Sequence, residues 1–131
     1  MWLVDTSVWI AIFRREDPLD LTRYIAFDEV VTCLPVIQEV LQGFRDERSY
    51  RIARDSMRSL PVIDDPLSFD VFDAAVDLYR AARRIGVTVR SSVDCLIAAS
   101  AIRHDLGVLH HDRDYAQLAK VSGLRQRALR A

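Results

Sequence analysis

Leu3-Val4-Asp5-Thr6-Ser7 steps from apolar, strand-forming residues into a carboxylate and two hydroxyls, and the reading of that step decides the fold. Val4 ends a short apolar strand. Ser7 to Arg15 then reads as a helix carrying Val8, Trp9, Ile12 and Phe13, with Asp17-Pro18 as its breaker. A strand running directly into a helix is half of a βαβ unit, and in open α/β sheets ligands bind in the crevice outside the strand carboxyl ends. Asp5 is therefore either a helix cap, a role that suits Asp, Thr and Ser alike, or the first member of a site. The choice depends on whether other acids recur at equivalent positions downstream.

Outward from this stretch, strands and helices alternate. A second helical piece is expected from about Leu19 to Phe27, and Val30-Val31-Thr32 is a short strand. Pro35 sits as a first-turn residue, opening a helix through about Arg45. In that helix Val36, Ile37, Val40, Leu41 and Phe44 follow the spacing of a core-facing stripe, and Glu39 lies beside it. The charged segment Asp46 to Ser59 continues as helix, and Leu60 to Ile63 is another strand, closed by Asp64-Asp65-Pro66. Ser68 caps a long amphipathic helix from Phe69 to about Ile85, with Phe72, Val76 and Tyr79 on one face and Gly86 as its stop.

From Val89 to Ile102 the chain caps and enters a helix apolar almost all round, as expected of a helix buried mid-domain. Gly107 to His110 is a strand, His111-Asp112-Arg113-Asp114-Tyr115 leads into a last helix through about Val121, and the tail from Leu124 adds an edge strand around Leu124 to Leu129. This alternation predicts right-handed βαβ crossovers and a mostly parallel sheet covered on both faces.

Length and composition bound the rest. The 131 residues fit a single domain, 1–131, and half of them are hydrophobic, enough for a sizeable core. No run approaches the roughly 18 apolar residues of a spanning helix, and the N-terminus lacks a signal-peptide layout, so the expectation is a soluble, cytoplasmic protein without a membrane role. Cys33 and Cys95 form no CxxC or zinc pattern and read as buried free thiols. The net charge of −1 gives no global attraction to nucleic acid. Of 18 basic residues Lys120 alone is a lysine; arginine suits bidentate phosphate contacts, although a compositional bias of the source genome explains the same excess.

Four acids stand where elements change or face the core: Asp5, Glu39, Asp94 and Asp112, with Asp114 two further on. Each has an ordinary structural explanation. Glu39 fits a solvated flank, Asp112 and Asp114 fit turn residues, and Asp94 suits the positive end of its helix dipole, worth about 0.3 to 1 kcal/mol. Asp94 is the hardest to dismiss, because Cys-Leu-Ile-Ala-Ala carries it toward the core and Asp is almost never buried unpaired. If the acids converge, their repulsion must be relieved by protonation or by a cation. The natural cation is one or two hard ions, Mg²⁺ or Mn²⁺, which take oxygen ligands and can activate water against a phosphodiester. His110 and His111 adjoin Asp112, but adjacent strand residues point to opposite faces, so at most one faces the site.

Four stretches carry a family resemblance: Leu3-Val4-Asp5-Thr6-Ser7, the helix from Pro35 to Gly43, Arg90-Ser91-Ser92-Val93-Asp94-Cys95-Leu96-Ile97-Ala98, and Leu109 to Tyr115. In that order the chain resembles the PIN-domain ribonucleases and, more closely, the toxin subunits of VapBC-type toxin–antitoxin modules. The resemblance implies a three-layer α/β/α sandwich with a mostly parallel five-stranded sheet. It also implies a Mg²⁺- or Mn²⁺-dependent endoribonuclease and a homodimer that a cognate antitoxin neutralises in a larger complex. Carried over by residue, Asp5, Glu39 and Asp94 form the main acidic triad and Asp112 the fourth acid. Asp5, Asp94 and Asp112 are the metal ligands implied, with Glu39 and Asp114 as further candidates. Thr6 and Ser7 are substrate or supporting hydroxyls, and Arg90 and Arg113 orient acids or phosphate. Tyr115, where many relatives have Phe, is a mild departure with no catalytic consequence expected.

An antitoxin segment is expected to pack on apolar residues near the crevice and place an Arg or Lys beside the acids. Trp9, Ile12 and Phe13 motivate this, although Trp9 and Phe13 are equally explained as core. Two rival readings stand. A haloacid-dehalogenase-type aspartyl phosphatase also begins with a strand-end Asp, but it requires a second Asp where this chain has Ser7. A non-catalytic interaction module of the same fold would be expected to lose acids that this chain retains.

Overall fold

The computed structural model describes residues 1–129. Its strands are β1 (Trp2–Val4), β2 (Val30–Cys33), β3 (Val62–Ile63), β4 (Gly107–His110) and β5 (Arg125–Ala128); its helices are α1 (Thr6–Phe13), α2 (Leu34–Leu41), α3 (Glu47–Arg58), α4 (Phe69–Arg84), α5 (Ser92–Arg103) and α6 (Asp114–Ala119). The last two positions of the tail, 130 and 131, lie outside the described residues.

The five strands form one sheet in the order β3-β2-β1-β4-β5, and every pairing is parallel. Leu3 of β1 is in register with Val31 of β2 and Val108 of β4. Consecutive residues of β2 and β4 are buried without alternation, so both faces of the sheet are covered. The result is a three-layer α/β/α arrangement. Leu3, Val4, Val108 and Leu109 are fully buried at its centre, each contributing about 1.5 to 3 kcal/mol through loss of apolar surface from water. Gly107 leaves room for the Trp2 indole beside β4: a Cβ there would lie 2.6 Å from Trp2 Cζ3, so a larger residue would force the indole to shift.

Strand order reverses between β1 and β4, and such a switch point opens a crevice at the strand carboxyl ends. Asp5 follows β1 at that point, and the segment His111 to Arg113 follows β4. The backbone N–H of Asp5 donates to the carbonyl of Leu109 at 2.8 Å, tying the two strand ends together.

Helix boundaries follow local chemistry, with some departures from expectation. The piece expected over Leu19–Phe27 is two single 3₁₀ turns, Leu21–Arg23 and Phe27–Glu29; Asp20 caps the first through Thr22, and no apolar stripe exists to prolong it. Helix α2 ends at Leu41 rather than Arg45. Gly43 is a poor helix former, and Asp46 is engaged as N-cap of α3, accepting from Ser49 N at 2.9 Å. Gly86, at φ 82°, stops α4 as expected.

In α4 the buried residues are Val71, Ala75, Leu78 and Ala82, whereas Phe72 and Val76 are exposed. With Tyr79, Cys95 and Leu96, they line an open groove of about 320 Å³. In α5, burial runs from Asp94 to Ala101 with only Leu96 partly exposed. Trp9 is buried, donates Nε1–H to the Val4 carbonyl at 3.2 Å and stacks on Phe13; it belongs to the core, and the neighbouring surface residue is Ile10. Cys33 and Cys95 are buried free thiols, and burial pushes them up to about 12 and about 11. No helix among the described residues is long and apolar enough to cross a membrane.

Candidate active site

Asp5 is both things its sequence context allows. It is the N-cap of α1 and accepts from the Ser7 backbone N–H at 3.0 Å and the Ser7 hydroxyl at 2.5 Å, both on Oδ2. Its other oxygen faces inward and accepts the Tyr115 hydroxyl at 2.6 Å. Asp94 enters from the first turn of α5. Its Oδ1 lies 3.3 Å from the same Tyr115 hydroxyl, and its Oδ2 is buried without a hydrogen-bond partner.

Asp112 and Asp114 come from the turn after β4. The Asp114 backbone N–H donates to Asp112 Oδ1 at 3.0 Å, which folds the turn so that both carboxylates face Asp94. One oxygen each from Asp94, Asp112 and Asp114 lies within 4.8 Å of the other two. The Arg90 guanidinium reaches the same pair, at 3.2 Å from Asp112 and 3.6 Å from Asp114. Its backbone N–H also donates to Asp114 Oδ2 at 3.2 Å.

Glu39 stands further out, where its Oε1 accepts the Thr6 hydroxyl at 2.8 Å. Arg113 is exposed at the start of α6 and, among the described residues, makes no ion pair with the acids. The two histidines serve as supports. His110 Nδ1 accepts the Asp112 backbone N–H at 3.1 Å while its Nε2 pairs with Gln126 Oε1 at 2.7 Å. An acceptor at Nδ1 places the ring proton on Nε2. His111 donates its backbone N–H to Ser7 Oγ at 2.9 Å, and its ring pairs with the Leu129 carbonyl at 2.7 Å. Strand β5 thus steadies the turn that carries Asp112.

Electrostatics follow from this crowding. Burial pushes the Asp94 carboxyl up to about 8, and the negative charges of Asp5, Asp112, Asp114 and Glu39 push in the same direction. The Tyr115 phenol, fully buried, is raised well above its ordinary value by burial and then by Asp5 and Asp94, so it remains a donor.

The donor set fits a hard divalent cation. All of its atoms are carboxylate oxygens, and Asp94 also carries a buried, unpartnered Oδ2. Octahedral Mg²⁺ places its oxygens about 3 to 4.2 Å apart, which the trio reaches with a small contraction. Asp5 is linked to this trio through Tyr115 rather than included in it.

Tyr115 is the residue that sequence reasoning passed over. Its signal was a hydroxyl, three residues beyond Asp112, on the first turn of the helix that leaves the acidic turn.

The comparisons agree with this architecture. A model of the PIN domain matches residues 2–121. Ribonuclease VapC11 of Mycobacterium tuberculosis is 36% identical over 135 residues, spanning 99% of this chain and 100% of the relative. Among solved structures, VapBC2 from Rickettsia felis bound to a DNA fragment from their promoter matches with a TM-score of 0.77 at 14% identity, covering 97% of each chain. VapBC-5 from Mycobacterium tuberculosis matches at 0.74 with 21% identity and the same coverage; at such identities these two structures establish the fold.

Proposed function

The chain belongs to the PIN-domain family and, within it, to the VapC ribonucleases, and on that premise we propose that it is the toxin of a toxin–antitoxin module, a single-domain endoribonuclease dependent on Mg²⁺ or Mn²⁺. The observation that carries the reading is the convergence of the Asp94, Asp112 and Asp114 carboxylates, together with a buried Asp94 Oδ2 that has no hydrogen-bond partner. Those three carboxylates would hold the ion, which when bound supplies Lewis-acid activation of water and neutralises charge at the phosphate.

The remaining residues act around it. Asp5, with each oxygen already accepting from Ser7 or Tyr115, is fixed in orientation and keeps lone pairs free to take a proton from the attacking water. Glu39, braced by Thr6, stands at the rim where it orients water or a ribose hydroxyl. The exposed Arg90 guanidinium turns from the acids to the scissile phosphate when RNA arrives, a contact arginine makes well. Arg113, exposed at the start of α6, would meet the strand as it enters. Hydrolysis then breaks a P–O bond, the phosphate gaining the water oxygen and the departing ribose oxygen a proton.

A cognate antitoxin is proposed as the partner. The groove lined by Ile10, Phe13, Arg14, Val40, Gly43 and Phe44 supports this, since it offers apolar surface beside α1 and α2. Exposed Phe69, Phe72 and Val76 along α4 likewise support a homodimer. The phosphatase reading gains nothing from the structure, because Ser7 is engaged by Asp5 and His111.

Purified protein is expected to cleave RNA with Mn²⁺ and to stop in EDTA, and Asp94→Asn is expected to be inactive while folded. Cleavage by that variant at the wild-type rate would overturn the assignment.

A further inference from the structure

Tyr115 lies at the centre of the acid cluster with no side-chain exposure. Its single hydroxyl faces two carboxylates from different parts of the chain, Asp5 at 2.6 Å and Asp94 at 3.3 Å. The ring packs against that of His110, at 4.9 Å between centroids, and His110 is itself fixed by Gln126 and by the Asp112 backbone. A phenol needs no such placement to fill a core; phenylalanine would pack the same space. The hydroxyl would be costly to bury there without an acceptor, and its one proton is shared between Asp5, the closer, and Asp94.

We infer that Tyr115 is a positioning residue for the cation site: its hydroxyl clamps Asp5 and Asp94 at a set separation, so that Asp94 presents its unpartnered Oδ2 to the Asp112–Asp114 pair. The inference rests on the proposed reading of that trio as a cation site. The hydroxyl lies one shell behind the ligands. Supports of that kind set ligand orientation, and their loss costs about 10- to 100-fold in metal affinity. With an ion bound and Asp94 ionised, loss of the hydroxyl would leave two carboxylates facing each other with no donor between them, and they would repel and splay.

The test is Tyr115→Phe, which keeps the ring and its His110 contact. Calorimetric titration with Mn²⁺ is expected to show binding about 10- to 100-fold weaker, with KM for RNA unchanged and kcat reduced. In wild type, Mn²⁺ is expected to perturb the near-ultraviolet tyrosine spectrum, and the perturbation should vanish in Tyr115→Phe. The other tyrosines lie elsewhere: Tyr24 stacks with Arg127, Tyr50 with Arg54, and Tyr79 lines the α4 groove.

Equal Mn²⁺ affinity in the two proteins would overturn the inference while leaving the cation site standing; a wild type that binds no Mn²⁺ would overturn both. A hydroxyl with only a structural role would lower the melting temperature in EDTA and leave Mn²⁺ affinity alone, which also refutes the inference. Should the Phe variant fail to fold, wild-type protein decides: binding without a tyrosine perturbation refutes it.

Discussion

Asp94→Asn separates the stability of this protein from its proposed activity. In the metal-free chain burial, reinforced by the charges of Asp5, Asp112, Asp114 and Glu39, pushes the folded Asp94 carboxyl up to about 8 from the ordinary 3.8. The folded state therefore holds the proton more tightly than the unfolded state. The stabilisation is complete below about pH 3.8 and is lost as pH rises toward 8, at about 1.4 kcal/mol per pH unit. Between pH 5 and pH 7 wild type in EDTA should lose about 3 kcal/mol from this group alone. Asn has nearly the same shape and no charge, and it can donate from the position of the unpartnered Oδ2 toward Asp112 or Asp114. The variant should therefore be the more stable protein at neutral pH, and its advantage should widen by about 3 kcal/mol between pH 5 and 7.

Urea unfolding in EDTA at a series of pH values measures this directly, and the histidines, common to both proteins, cancel in the difference. Saturating Mn²⁺ should close the gap from the wild-type side, since an ion bound only to the folded state stabilises it. Parallel stability curves for the two proteins in EDTA would refute the claim that Asp94 is a buried acid crowded by other carboxylates.

Arg90→Ala should change stability by less than about 0.5 kcal/mol, because the guanidinium is exposed and exposed ion pairs contribute little. The same change removes a positive charge beside Asp112 and Asp114 and should tighten Mn²⁺ binding several-fold at low salt; weaker binding would contradict its placement. Gly107→Ala, whose methyl would meet Trp2 Cζ3 at 2.6 Å, should cost about 1 to 3 kcal/mol, read as a lower urea midpoint with the slope retained. An unchanged midpoint would show that the indole gives way freely.

Much of this arrangement is written in local patterns. The step from Val4 to Asp5 marks a strand end because apolar residues stop where a carboxylate and two hydroxyls start, and the structure makes Asp5 a cap and a cluster member together. The all-round apolar character of α5 showed that Asp94 would be carried into the interior, where it is 5% exposed. Helix α4 was less readable. Its aromatic face looks like the obvious core face, yet the small residues Ala75 and Ala82 are buried. Small side chains let helices approach closely, whereas Phe72 and Val76 line the open groove and stay about half exposed. Both faces are apolar enough to bury, so periodicity alone had no means of choosing.

What the sequence by itself determined is the alternation of elements, the parallel sheet that alternation requires, and the set of acids placed at strand ends and helix starts; these depend on spacing and residue type within short windows. Only the tertiary structure decided which acids come together. Asp114, an uncertain companion in the sequence, joins Asp94 and Asp112, while Asp5 is held one hydroxyl away. That hydroxyl belongs to a residue 110 positions from Asp5. No local pattern encodes the contact, because it exists only once the packed helices and sheet bring the first turn of α6 against the residue that ends β1.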